Sequence, residues 1–268
     1  MTIIQAVILG LVQGLCEFLP VSSSGHLLLL QNIFGITEGQ TFFTVMLHLG
    51  TLLAVLIVYR KTILDILRHP FQKLTGYLLL ATVPTVLIAI LFKKVPPFSG
   101  FYEKAEAGKY LGVCFLITSI LLITAEKVRV RGRRRSLSAM RPKDALIIGA
   151  MQGLGTLSGI SRSGSTIAGA LFSGLNRKAA ADFSFLLSII AILGGAVLEI
   201  PDALEQGFSS IPWIPVIIGM IVAFLTGLFA IRLMLRVIKK KKLVWFAVYT
   251  AVLGLLIILD QLVFHVFF

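Results

Sequence analysis

"AVILGLVQGLCEFLPVSSSGH" (residues 6–26) returns as "ALIIGAMQGLGTLSGISRSGS" (residues 145–165) when the chain is slid along itself by 139 positions, without a gap. Ala6/Ala145, Gly10/Gly149, Gln13/Gln152, Gly14/Gly153, Leu15/Leu154, Ser22/Ser161, Ser24/Ser163 and Gly25/Gly164 are identical pairs. Gln-Gly-Leu and Ser-x-Ser-Gly recurring at one offset mark an internal repeat. The likeness continues loosely, "FTVMLHLG" from Phe43 against "FSFLLSII" from Phe183. Each copy is an apolar run interrupted at its middle, by "PVSSSGH" in the first and "SGISRSGST" in the second.

The solvent for such runs is lipid. With 57% hydrophobic and 14% charged residues, the chain is not an ordinary soluble domain. A bilayer core of roughly 30 Å needs about 20 apolar residues per helix. Spans are expected at about 41–59, 76–92, 110–126, 181–199, 214–235 and 243–265. The net charge of +13 does not point to nucleic acid, because the bases crowd into short loops between apolar segments. Cys16 and Cys114 read as small buried hydrophobes. The N-terminal "MTIIQAVILG" has no basic flank and no small-residue cleavage site, so it is not expected to be a removable signal peptide.

Charge orients the spans. The loop 60–75 holds Arg60, Lys61, Arg68 and Lys73. The loop 127–143 holds Lys127, Arg129, Arg131, Arg133, Arg134, Arg135, Arg141 and Lys143, and the loop 236–242 holds Arg236 and Lys239 to Lys242. These three belong on the cytoplasmic side. The loop 200–213, with Asp202 and Glu205 and no base, belongs outside, and so does 93–109 by its neighbours. The assignments agree only if segments 1–40 and 144–178 each enter and leave on one side, as re-entrant helical hairpins. Each repeat then has one hairpin and three crossings, which inverts the second copy relative to the first and brings both tips near the midplane. The expected fold is all-α and polytopic, an inverted-topology repeat of six transmembrane helices plus two re-entrant hairpins. It forms a single integral membrane domain over 1–268, with repeat one at 1–126, a basic cytoplasmic connector at 127–143, repeat two at 144–268, and both termini outside.

The tips carry the chemistry. From Met1 to Thr37 the only formal charge is Glu17, and from Ala145 to Asn176 the only one is Arg162. An intramembrane ionisable residue costs at least about 2.5 kcal/mol and marks a functional site by default. "SSSGH" and "SRSGST" each open a second half-helix, where serine and threonine cap free N–H groups and the helix end attracts anions. Gly25 and Gly164 allow close approach. Arg162 supplies a fork of donors matched to phosphate oxygens. The set points to a phosphate-bearing ligand. Polar glue between packed helices explains the serines and glycines but not the lone arginine. Ser23 and His26, three apart, share a helix face, so His26 is expected to be the acid/base partner of Ser23. Glu17 could orient the imidazole, act as base or join a divalent metal, with Gln13 one turn earlier on the same face. His48, without such neighbours, reads as packing.

These residues resemble a known family. "QGLCEFLPVSSSGH" is similar to the (E/Q)xxxE stretch and following serine–histidine segment of undecaprenyl-diphosphate phosphatases of the bacitracin-resistance type. "SGISRSGST" is similar to their P-G-x-S-R-S-x-x-T motif, and the likeness runs along the whole chain, including "ADFSFLL". The resemblance implies a multi-pass enzyme of the bacterial inner membrane with its active site facing outward. It implies cleavage of undecaprenyl diphosphate to undecaprenyl phosphate and inorganic phosphate, which recycles the cell-wall lipid carrier and confers bacitracin resistance. It also implies a divalent cation, Mg2+ or Ca2+, to which Gln13 and Glu17 would be the ligands. Carried onto this chain, the motifs give Gln13, Glu17, Ser22, Ser23 and His26, then Ser161, Arg162, Ser163 and Thr166. Gln13 stands where many members have glutamate, Ser158 where proline is usual, and Thr44 where an acidic residue is common.

The expected catalytic residues are therefore Glu17, Ser23, His26 and Arg162. The expected phosphate-binding residues are Ser22, Ser24, Gly25, Ser161, Ser163, Gly164 and Thr166. Ser23 is the first choice of nucleophile, with water or His26 as the open alternatives. Partners are the polyprenyl diphosphate and membrane lipids, not nucleic acid, and a homodimer is left open. A secondary transporter is the rival reading, since inverted repeats with broken midplane helices also build transporters.

Overall fold

The computed structural model describes residues 1–36, 40–128, 134–205, 212–239 and 243–267. Arg129, Arg131, Arg133 and Lys240 to Lys242, which carry part of the charge argument, lie outside the described residues, as do the side chains of Asp202 and Glu205. Among the described residues the architecture is all-helical. Twelve α-helices follow in order: α1 (Ile3–Phe18), α2 (Ser23–Ile33), α3 (Gln40–Val58), α4 (Arg60–Arg68), α5 (Lys73–Lys94), α6 (Phe98–Glu106), α7 (Leu111–Lys127), α8 (Pro142–Leu154), α9 (Arg162–Phe172), α10 (Arg177–Glu205), α11 (Trp213–Lys239) and α12 (Leu243–Leu259).

Five of the helical stretches are long and apolar enough to cross a bilayer: Gln40–Val58, Lys73–Lys94, Arg177–Leu198, Trp213–Lys239 and Leu243–Phe264. A sixth span is reached when α7 is counted with α6, to which it is joined at a bend of 97°. Their outer faces stay apolar where they are exposed, as at Leu87, Ile120, Val197, Phe229 and Leu255. Helices that are apolar on the outside as well as the inside suit lipid and not water. The chain is a polytopic helical membrane protein.

Two stretches expected as loops each contain a separate α-helix. Residues 60–75 contain α4, whose apolar Leu64 and Leu67 are exposed beside Arg60, Lys61 and Arg68. Residues 93–109 contain α6. Both helices are nine residues long, too short to announce themselves against the basic or mixed composition around them.

Both interrupted segments fold as expected into two helices each. Hairpin one is α1 packed on α2, and hairpin two is α8 packed on α9. Each first arm lies along a long helix from the other half of the chain, α1 on α11 and α8 on α5. The repeated glycines make these contacts close. A Cβ on Gly10 would run into the Gly219 carbonyl, and one on Gly149 into the Ala81 carbonyl. A threonine sits at each contact: Thr226 Oγ1 donates to the Gly10 carbonyl (3.5 Å), and Thr85 Oγ1 to the Gly149 carbonyl (2.8 Å). The long helices also pair, α3 with α10 and α7 with α12. The main core fills the space between them, with Phe18 edge-on to Phe185 at 5.5 Å.

The open end of hairpin two is clamped. Arg134 donates to the carbonyls of Leu171 and Leu175, at the C-terminal end of α9, and to that of Val128, just after α7. Arg135 grips Asp144 with both guanidinium nitrogens (2.6 and 2.9 Å), and Arg177 does the same to Glu126 (3.1 and 2.9 Å). Part of the basic connector is thus committed to fixing helix ends.

Candidate active site

Glu17 ends α1 one residue before the chain turns, and it is 4% exposed. A buried carboxylate must be paired and hydrogen-bonded. Here Gln13 Nε2 donates to Glu17 Oε2 (3.0 Å) from one helical turn earlier, and Ser23 Oγ donates to the same oxygen (2.5 Å) across the turn. The other oxygen, Oε1, takes the Arg162 guanidinium. The two lone charges of the hairpins therefore meet. His48 on α3 adds a fourth group: its Nε2 lies 3.6 Å from Glu17 Oε2, while its Nδ1–H donates to the Thr44 carbonyl (2.8 Å). The expectation that His48 merely packs is corrected. Its signal was available, because Thr44, His48 and Thr51 recur at helical spacing on an otherwise apolar span.

The turns themselves are built alike. Ser22 caps α2 by accepting from Gly25 N–H (3.4 Å), and Ser161 caps α9 by accepting from Gly164 N–H (3.0 Å). Ser22–Ser24 and Ser161–Ser163 hydroxyl pairs both stand at 3.3 Å. Ser163 Oγ also donates to the Leu19 carbonyl, tying the second tip to the first (3.1 Å). One difference is conformational. Ser22 has φ 68°, in the left-handed region, whereas Ser161 has φ −68°. Holding a serine there costs of order 1–3 kcal/mol, supplied by its surroundings.

His26 is part of that support. Its Nδ1–H donates to the Ser22 carbonyl (2.7 Å), and the Tyr249 hydroxyl on α12 donates to its Nε2 (2.6 Å). The ring stacks on Tyr249 and meets Phe115 edge-on. The expected pairing of His26 with Ser23 is not formed. Three residues along a helix leave the two side chains about 60° apart, enough here for Ser23 to reach Glu17 while His26 turns to α7 and α12.

A cavity of about 400 Å³ opens beside these groups. Glu17, Ser22, Ser23, Ser24, His48 and Arg162 line it, together with parts of α5, α6 and α10. The remaining expected phosphate ligands are spent on packing. The space in front of Gly25 is filled by Phe115 and Gly159, and that in front of Gly164 by Ser161 and Pro20. Ser161, Ser163 and Thr166 are buried, and Thr166 Oγ1 bonds Ser184 on α10 (2.6 Å).

Gln13 and Glu17 do not by themselves make a resident divalent-cation site. Among the described residues no three His, Cys, Asp or Glu side chains gather. Glu17 has both oxygens engaged, and Gln13 adds one unpartnered neutral oxygen, Oε1. Ca2+ takes six to eight oxygen ligands, and Mg2+ held by one carboxylate relies on substrate phosphates and water for the rest; those two side chains alone do not complete either shell.

Comparison with known proteins finds one family over nearly the whole chain. The family model described as bacitracin resistance protein BacA matches residues 6–256. An undecaprenyl-diphosphatase of Carboxydothermus hydrogenoformans is 47% identical over 260 residues, covering 96% of this chain and 97% of its own. An undecaprenyl-diphosphatase of Alkaliphilus metalliredigens is 42% identical over 281 residues, covering 98% and 100%. One from Halothermothrix orenii is 41% identical over 261 residues, covering 97% and 98%.

Proposed function

The chain belongs to the bacitracin resistance protein BacA family, and from that premise we propose that it is an undecaprenyl-diphosphatase. It cleaves undecaprenyl diphosphate to undecaprenyl phosphate and inorganic phosphate, which recycles the lipid carrier and confers bacitracin resistance. The observation that carries the reading is the meeting of Glu17, Ser23 and Arg162, from two separate broken helices, in one cavity.

The reaction is in-line phosphoryl transfer. Ser23 Oγ attacks the terminal phosphorus and gives its proton to Glu17, whose Oε2 already accepts it at 2.5 Å. Arg162 turns its fork from Glu17 to the phosphate oxygens, where it stabilises charge as the bridging P–O bond breaks. Undecaprenyl phosphate leaves. The leaving phosphate carries off the proton held by Glu17, and the regenerated carboxylate takes a proton from water as the water oxygen attacks phosphoserine. That proton returns to Ser23 Oγ as the serine P–O bond breaks, giving serine and inorganic phosphate. His26 holds the Ser22 turn that aims Ser23, and His48 stands beside the carboxylate from α3.

The inverted-topology reading is supported by the exchange of contacts between halves, α1 on α11 against α8 on α5. On this reading the protein sits in the bacterial plasma membrane, with the basic connector cytoplasmic by its charge and the cavity facing outward. The polyprenyl chain stays in lipid and enters between helices. The test uses the full chain in detergent with a polyprenyl diphosphate and magnesium, and reads free phosphate. Steady release is expected. Detergent removes sidedness, so absence of release would leave the transporter reading in its place.

A further inference from the structure

One cation in the cavity wall has no part in the chemistry above. Lys93, in the last turn of α5, lines the same cavity as Glu17, Ser23 and Arg162. Its ammonium stands 5.6 Å from the centroid of the Tyr102 ring on α6, which also lines the cavity. It is in no ion pair among the described residues. Lys94 beside it does not line the cavity.

Charge balance gives Lys93 a task. Arg162 is matched by Glu17, so the inner end of the cavity is close to neutral before substrate arrives. A diphosphate brings negative charge on each of its phosphates, and an uncompensated charge in a low-dielectric site is costly. One guanidinium shared with a carboxylate does not balance it. The position fits. Thr85, Ala89 and Lys93 all line the cavity at one-turn intervals along α5, so Lys93 stands roughly 12 Å above the Thr85 level along the axis. Helices α5 and α8 run side by side in register, Ala81 against Gly149 and Ile88 against Gly153, and Gly155 next meets the Arg162 backbone, so the last turn of α5, which carries Lys93, lies toward the tip that carries Arg162. A lysine is a mobile point charge on a four-carbon stem, suited to capture more than to directed bond breaking.

We propose that Lys93 is a second phosphate-binding residue that holds the phosphate Arg162 does not, and so selects diphosphates over monophosphates. The proposal rests on the phosphatase reading for its substrate but is testable apart from it. Its effect is on binding shared by ground and transition states, which moves KM and leaves kcat.

The test compares Lys93→Ala, Lys93→Gln, Lys93→Arg and Lys94→Ala in the full chain in detergent, with a polyprenyl diphosphate as substrate. Lys93→Ala and Lys93→Gln should raise KM about tenfold with kcat within about threefold, Lys93→Arg should restore KM, and Lys94→Ala should leave it unchanged. Inorganic pyrophosphate and orthophosphate serve as competitors, and their binding is also read as a shift in thermal unfolding. Removing Lys93 should weaken pyrophosphate about tenfold and orthophosphate little. Unchanged KM and unchanged pyrophosphate affinity would overturn the proposal, as would an equal loss in Lys94→Ala. If the wild-type chain released no phosphate, the phosphatase reading would fall, while the pyrophosphate shift would still decide the role of Lys93.

Discussion

Hairpin one and hairpin two share a frame and divide the chemistry. At the shift of 139 residues, Gly10 and Gly149, Ser22 and Ser161, and Gly25 and Gly164 coincide, and each pair has the same local job. The pairs that differ are the functional ones. Glu17 faces Thr156 across the repeat, Ser23 faces Arg162, and His26 faces Ser165. Hairpin one supplies carboxylate and hydroxyl, with a strained turn at Ser22. Hairpin two supplies guanidinium, with a relaxed turn at Ser161 and a clamp of arginines at its open end. Repetition survives where backbone must approach backbone, and it lapses where a side chain must do something its counterpart does not.

That division can be broken most forcefully at its two active ends. Ser23→Ala and Arg162→Ala should each lower phosphate release by about 10³-fold or more with the protein still folded. Near-normal turnover in either would remove that hairpin from the chemistry. The next test separates aiming from proton transfer. His26→Phe should cost about tenfold, short of the 10²–10⁴ expected of a direct acid or base, and Tyr249→Phe should cost less. A loss in His26→Phe equal to that of Ser23→Ala would move His26 onto the substrate. The mildest test addresses the shared frame. Gly10→Val and Gly149→Val each force a side chain into a carbonyl of the facing helix, at about 1–3 kcal/mol, and should lower the melting temperature alike. Damage in only one would show that the two frames are not equivalent.

Much of this was legible in the amino-acid order, for physical reasons. A single acid and a single base in two apolar runs have little to pair with except each other, so the Glu17–Arg162 meeting followed from counting. The broken helices were legible because hydroxyls and glycine interrupt an apolar run only where something satisfies the backbone. What escaped depended on facing directions. His48 reaches Glu17 from a helix more than twenty residues on, and sequence order does not say which wall a span presents. Ser23 and His26 were placed together by spacing, but the packing of α7 and α12 around the imidazole decided otherwise. Gly25 and Gly164 suggested room for a ligand, and the room went to Phe115 and to residues of the two turns, Gly159, Ser161 and Pro20. The short helices α4 and α6 left no periodic trace long enough to read.

The carboxylate at position 17 and the guanidinium at position 162 come from opposite sides of the connector at residues 127–143. Neither half of the polypeptide therefore owns a reaction centre. Made as two separate pieces cut within that connector, the protein would be inert in each fragment and would recover turnover only where both fragments insert into one bilayer and dock, so catalysis itself would report their assembly.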